Sequence, residues 1–118
     1  MTISNAIDAW RGHTNGLDHP DLASCLNTYG EALLKSHYVV TAKEKPFHEA
    51  LGMAMRVLGK EHPEVARSLV GLGLLRVAEG GEAMARQGLE MRKRVYGEGH
   101  PEVRKTIEVL RSAGLDVA

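Results

Sequence analysis

The sequence predicts an all-α protein made of stacked antiparallel helix pairs, on three observations. A segment recurs three times, its apolar residues are spaced as on one helix face, and glycine and proline stand where helices would stop and start. The recurring segments are "DHPDLASCLNTY", "EHPEVARSLVGL" and "GHPEVRKTIEVL", anchored on His19, His62 and His100. Leu22, Val65 and Val103 correspond in them, as do Cys25, Ser68 and Thr106, then Leu26, Leu69 and Ile107, and last Tyr29, Leu72 and Leu110. Recurrence three and four residues apart marks one face of an α-helix. The stretches ahead of the later anchors match as well: Leu51, Met53, Val57, Leu58 and Gly59 fall on Leu89, Met91, Val95, Tyr96 and Gly97. The chain therefore repeats with a period of about forty residues, two helices to each unit.

The boundaries follow from the punctuation. Proline at the first helical position gives up no hydrogen bond, because that N–H has no intrahelical acceptor, and its fixed φ suits the helix. Asp21, Glu64 and Glu102 come directly after it and place negative charge at the positive end of the helix dipole. Gly16, Gly59 and Gly97 precede the histidines by three residues, where a helix would end in a left-handed conformation. The histidines are thus read as helix-start signals. As a metal set they fail on distance, since equivalent points on stacked helices lie about 8 to 10 Å apart, whereas the ligands of one zinc all lie about 2 Å from it. Helices are expected near residues 3–12, 20–36, 39–58, 63–79, 82–96 and 101–113. The third is expected to start late or kink at Pro46.

The stretch "ALGMAMRVLGKEHPEVARSLVGLGLL" resembles the tetratricopeptide repeats of the kinesin light chain type, and the likeness extends over residues 7–110. The resemblance implies a short right-handed superhelix of antiparallel helix pairs, a TPR-like α-solenoid of about six helices. It would form a single domain over 1–118, with a leading helix at about 3–12, one repeat at about 19–58, a second at about 62–96 and a C-terminal capping helix at about 101–113. The second interval is shorter than the family's usual one, and Gly80 matches its interhelical glycine, so about one turn is missing from the helix that follows. Arg104 stands where Ala23 and Ala66 do, which suits a last helix facing solvent. Two complete repeats fall below the number, about three, that usually makes such a stack stable.

Composition excludes several functions. The 118 residues carry 15 basic and 15 acidic side chains, so no net field draws the chain to nucleic acid or to an anionic membrane. No apolar run approaches the length of about 20 that spans a bilayer. The N-terminus lacks the pattern of a secretion signal and Cys25 has no internal partner for a disulfide, so a cytoplasmic location is expected. Catalysis finds no converging groups. Cys25 aligns with Ser68 and Thr106 and reads as a small packing residue, while His13, His37 and His48 are scattered without a motif partner. Gly71 and Gly73 read as close helix packing, and Gly80 and Gly81 as a turn. Met53, Met55, Met84 and Met91 read as core filler, and the basic run in "EMRKRVYGEG" as a solvated helix face. No enzyme, metal or cofactor is expected.

One helix departs from a single apolar stripe. On the helix that begins at Pro63, Val65, Leu69, Leu72 and Leu75 use the repeat face, while Val70, Gly71 and Leu74 lie elsewhere on the wheel. In the family it resembles, the first helix of each repeat lines a concave groove. That places Ser24, Asn27, Glu31, Arg67, Val70, Leu74 and Lys105 on a candidate partner-binding surface, apolar at its centre and charged at its rim. The expected function is a noncatalytic protein–protein interaction module that binds a peptide or protein partner there. The alternative is a structural protein whose Val70 and Leu74 face forms a homodimer.

Overall fold

The computed structural model describes residues 7–8, 11–12 and 17–117. Among these are five α-helices and no strand: α1 (Pro20–Leu34), α2 (Val40–Leu58), α3 (Pro63–Leu75), α4 (Gly81–Tyr96) and α5 (Pro101–Ser112), with a 3₁₀ turn at Val77–Glu79. Most of the helix expected at 3–12, together with Gly16 and His13, lies outside the described residues. Within that span, Ile7, Asp8, Arg11 and Gly12 are helical. Consecutive helices pack against each other as hairpins, α1 on α2 and α3 on α4, and α2 also packs on α3.

The three His-Pro pairs begin α1, α3 and α5. At each, the backbone N–H two residues on donates to the histidine Nδ1 at 3.1 Å: Asp21 to His19, Glu64 to His62 and Glu102 to His100. The ring thus fills the place of a Ser or Asp cap oxygen, taking up one of the N–H groups that a helix start leaves without a partner. The helix stops at Gly59 and Gly97 differ from the expectation. Their φ is positive, 93° and 94°, but ψ is 169° and 147°, an extended conformation that essentially only glycine adopts. The left-handed helical conformation is found at Gly80, with φ 92° and ψ 7°. A chain that must leave one helix and reach the next histidine cap within three residues runs extended rather than curling back.

Of the late start or kink expected at Pro46, the late start is not found: α2 begins at Val40 and runs through Pro46, which is buried. Directly after it, Phe47 is fully buried and its ring lies between the backbones of α1 and α3. A Cβ on Gly30 would come within 2.8 Å of that ring, and one on Gly71 closer still. α3 ends earlier than expected, at Leu75 rather than 79. A Cβ on Gly73 would lie 2.6 Å from the Gly81 carbonyl oxygen, so α4 starts almost in contact with the α3 backbone, and the intervening turn tightens to 3₁₀ to bring it there. α4 has 16 residues against 19 for α2, which is the missing turn.

The core forms two clusters. Leu22, Leu26, Ala50, Met53, Ala54, Val65, Leu69 and Met91 fill the first, and Ala85, Leu89, Val103, Leu110, Leu115 and Val117 the second. Of the four methionines read as core, Met53 and Met91 are buried, whereas Met55 and Met84 are 40% and 37% exposed. The last two members of the second cluster follow a turn at Gly114 (φ 91°), after which the tail folds back. The Leu115 N–H donates to the Leu110 carbonyl at 3.0 Å, and Arg111 and Arg86 donate to the Val117 and Asp116 carbonyls at 3.0 and 2.6 Å. This is a Schellman stop followed by an apolar clasp.

Candidate partner-binding groove

α1, α3 and α5, with α4 behind them, enclose a groove of about 690 Å³. Its apolar part is made by Leu34, Val70, Leu74 and Val109. Val70 and Leu74 are half-buried and pack on the second core cluster, while Val109 is 47% exposed. Gly88 on α4 makes this depth possible, because a Cβ there would come within 2.7 Å of the Val70 methyl.

The polar part centres on Arg67. Its Nη2 donates to Glu31 Oε1 at 2.5 Å and to Thr28 Oγ1 at 3.1 Å, and its Nη1 donates to Glu64 Oε1 at 2.6 Å and to Ser24 Oγ at 3.4 Å. Burial works to lower its pKa, yet the Glu31 and Glu64 carboxylates carry it above the ordinary arginine value. Arg67 is therefore a neutralised bridge between α1 and α3. Arg92 differs. Its Nη1 donates to Thr106 Oγ1 at 2.7 Å, its nearest carboxylate contact is Glu102 Oε2 at 3.9 Å, and its buried Nε has no partner. Burial, only partly offset by Glu102, holds this guanidinium below the usual arginine range. Toward one end, the Tyr96 and His100 rings stack at 4.3 Å, and Tyr96 joins the lining.

Glu31, Arg67, Val70, Leu74 and Lys105 line this groove. Asn27 does not, and its placement on the binding surface is corrected. It is fully buried, donating from Nδ2 to the Glu64 carbonyl at 2.9 Å and accepting from Ser68 Oγ at 2.8 Å, so its amide fastens α1 to the first turn of α3. Ser24 is half-buried beside the groove and reaches it only through Arg67. The reading of the basic run as a solvated face holds for Arg94 and fails for Arg92, which is only 9% exposed and lines the groove. Helical spacing carries the signal for it: Ala85, Gly88, Leu89 and Arg92 share one buried face of α4.

Cys25 is half-buried against the first core cluster, and burial raises its thiol above the ordinary value, which disfavours a nucleophilic thiolate. Among the described residues no three His, Cys, Asp or Glu side chains gather closely enough to hold a metal ion, and no helix is long and apolar enough to cross a membrane. No curated protein matches the chain. Residues 78–102, which run from the turn before α4 through α4 to the start of α5, match the tetratricopeptide repeat family. The all-helical stack around that stretch has the architecture of a tetratricopeptide-repeat-like solenoid.

Proposed function

We propose that this chain is a noncatalytic, cytoplasmic interaction module, of the kinesin light chain-like repeat type, that holds a peptide or extended protein segment in the groove between α1, α3 and α5. The observation that carries the proposal is the groove itself, a concavity with an apolar floor and charged walls that the described side chains leave open. Tetratricopeptide repeats generally mediate protein–protein contact, and the match over residues 78–102 includes Arg92, Tyr96 and Glu102 of the lining. Of the residues placed here from sequence, Glu31, Arg67, Val70, Leu74 and Lys105 are assigned to the partner.

Val109→Glu tests this reading with little risk to the fold, because Val109 is 47% exposed. Peptides selected from a random phage-displayed library on the unaltered chain are expected to lose binding to Val109→Glu while its helical circular dichroism is unchanged. Undiminished binding would remove the groove as the site. Self-association through the same face would need a convex element of a second copy, since Val70 and Leu74 are recessed in a concavity. Light scattering that found a dimer dispersed by Val109→Glu would favour that reading over a peptide ligand.

A further inference from the structure

Phe47 breaks the internal repeat in the layer of helices behind the groove. In the register that pairs Leu51 with Leu89 and Met53 with Met91, its counterpart on α4 is Ala85, and the His-Pro register pairs Gly30 with Gly73 and Gly71 with Val109. In the second unit two small residues meet. A Cβ on Gly73 would lie 2.6 Å from the Ala85 Cβ, so α4 closes directly on α3, and the alanine is too short to reach further. In the first unit a ring stands in the alanine's place. Its tip faces Gly30 of α1, where a Cβ would come within 2.8 Å of it, and also Gly71 of α3, where a Cβ would come closer still. Each glycine adjoins a groove residue, Glu31 after Gly30 and Val70 before Gly71, and Gly71 itself lines the groove. Asn27 and Arg67 tie α1 to α3 through the Glu64 carbonyl and the Glu31 carboxylate, and the ring is the stop those ties pull against. α1 packs on α3, whereas among the described residues α3 and α5 have no comparable packing, and the cleft with Val70, Leu74 and Val109 opens between them. Interiors are too densely packed for such a ring to yield, so its length fixes the distance between the backbones it separates.

We propose that Phe47 is a positioning residue for the groove: its ring sets how far the α1 wall, with Glu31 and Leu34, stands from the α3 floor, with Val70 and Leu74, and thereby which segments fit. This rests on the groove being the peptide site. The ring acts from behind, through Gly30 and Gly71, because it is fully buried and touches no bound segment itself.

The test uses the full chain and reads the spacer first without a ligand. Phe47→Leu removes the tip of the ring, and Gly30→Ala supplies a methyl group in the space that the tip leaves. Gly30→Ala alone is expected to lower the melting temperature, and in the Phe47→Leu background to raise it, a reversal of sign that follows from one shared space. An equal loss in both backgrounds would overturn the spacer. Binding is then followed by fluorescence polarisation, using the best-enriched peptide that a random phage-displayed library yields on the unaltered chain, at a temperature where every variant keeps its helical circular dichroism. Phe47→Leu is expected to weaken this peptide about tenfold or more, and Phe47→Leu with Gly30→Ala to recover most of the loss, although neither residue lines the groove. Met53→Ala, another buried truncation on α2, is the control, expected to lower the melting temperature and leave the affinity unchanged. A fresh selection on Phe47→Leu is expected to return a different consensus. Unchanged affinity for Phe47→Leu, a weakening that Met53→Ala matches or Gly30→Ala does not relieve, or the same consensus from the second selection would each overturn the positioning role and leave the groove reading in place. If Phe47→Leu does not fold, Gly30→Ala with Phe47 retained pushes the same wall outward, and its unchanged affinity would overturn the role. Selection that yields no peptide sensitive to Val109→Glu would overturn both.

Discussion

His19, His62 and His100 each turn Nδ1 toward the N–H two residues on, and this fixes what a substitution there does. His62→Asn keeps an acceptor of similar reach and is expected to fold with little change. His62→Leu removes the acceptor and is expected to lower stability by about 1 kcal/mol. Urea denaturation of the two variants separates them, and equal losses would show that the cap bond contributes nothing. The glycines divide in the same way by backbone. Gly59 has a φ of 93° with extended ψ, so Gly59→Val is expected to cost on the order of 1 to 3 kcal/mol through strain alone, since a Cβ there meets no atom within 4 Å. Gly99 has equally open surroundings and no positive φ, and Gly99→Ala is the control, expected to stay within about 0.5 kcal/mol. Similar denaturation midpoints for the two would remove the strain argument.

Helices are joined here by a few polar contacts that reach across the apolar seams. Glu44 of α2 accepts from Arg76 at the end of α3, and that hydrogen bond holds its carboxyl below the ordinary value of 4.5. The folded state therefore favours the ionised form. The resulting stabilisation is complete above the unfolded-state value and is lost as pH falls through the lower folded-state value. Glu44→Gln is expected to reduce the melting temperature at neutral pH and to lose that effect as pH falls below 4.5 and through the lower folded-state value, where both chains come to carry a neutral group. A difference that persisted in acid would assign the effect to packing instead. Asn27 and Ser68 make a second such contact between α1 and α3, entirely inside the fold. Asn27 was expected in the groove because periodicity tells which residues share a helix face, while the distance to the neighbouring helix decides whether that face is open. Asn27 faces the first turn of α3, whereas its repeat counterpart Val70 faces Gly88 and the cleft.

For the molecule as a whole, the helix starts, the repeat register and the shortened α4 were legible in the sequence because each follows from local pattern: His-Pro, helical spacing, a missing turn. The position of the groove was legible in part, through the off-stripe Val70 and Leu74. What escaped depends on contacts between distant segments. The tight turn after α3 follows from Gly73 meeting Gly81, and the burial of Arg92 from the approach of α5. The tail escaped too, although glycine followed by an apolar residue in "SAGLDV" is the pattern of a Schellman stop. Leu115 and Val117 are each 5% exposed and complete the core between α4 and α5. Burial of one such side chain is worth about 1.5 to 3 kcal/mol. Leu115→Asp is therefore expected to lower the denaturation midpoint clearly and to expose α5 first in hydrogen exchange, while uniform loss of protection would show that the tail is not a local clasp. Phe47, the single phenylalanine of the chain, has a further consequence for motion. Its ring touches the backbones at Gly30 and Gly71 together, so turning it through half a circle requires α1 and α3 to part for an instant. Ring-flip exchange of a ¹³C-labelled Phe47, followed by NMR line shape, is expected to be slow in the native chain and to quicken when Asn27→Ala loosens the α1–α3 seam, which makes one side chain a clock for the breathing of the stack.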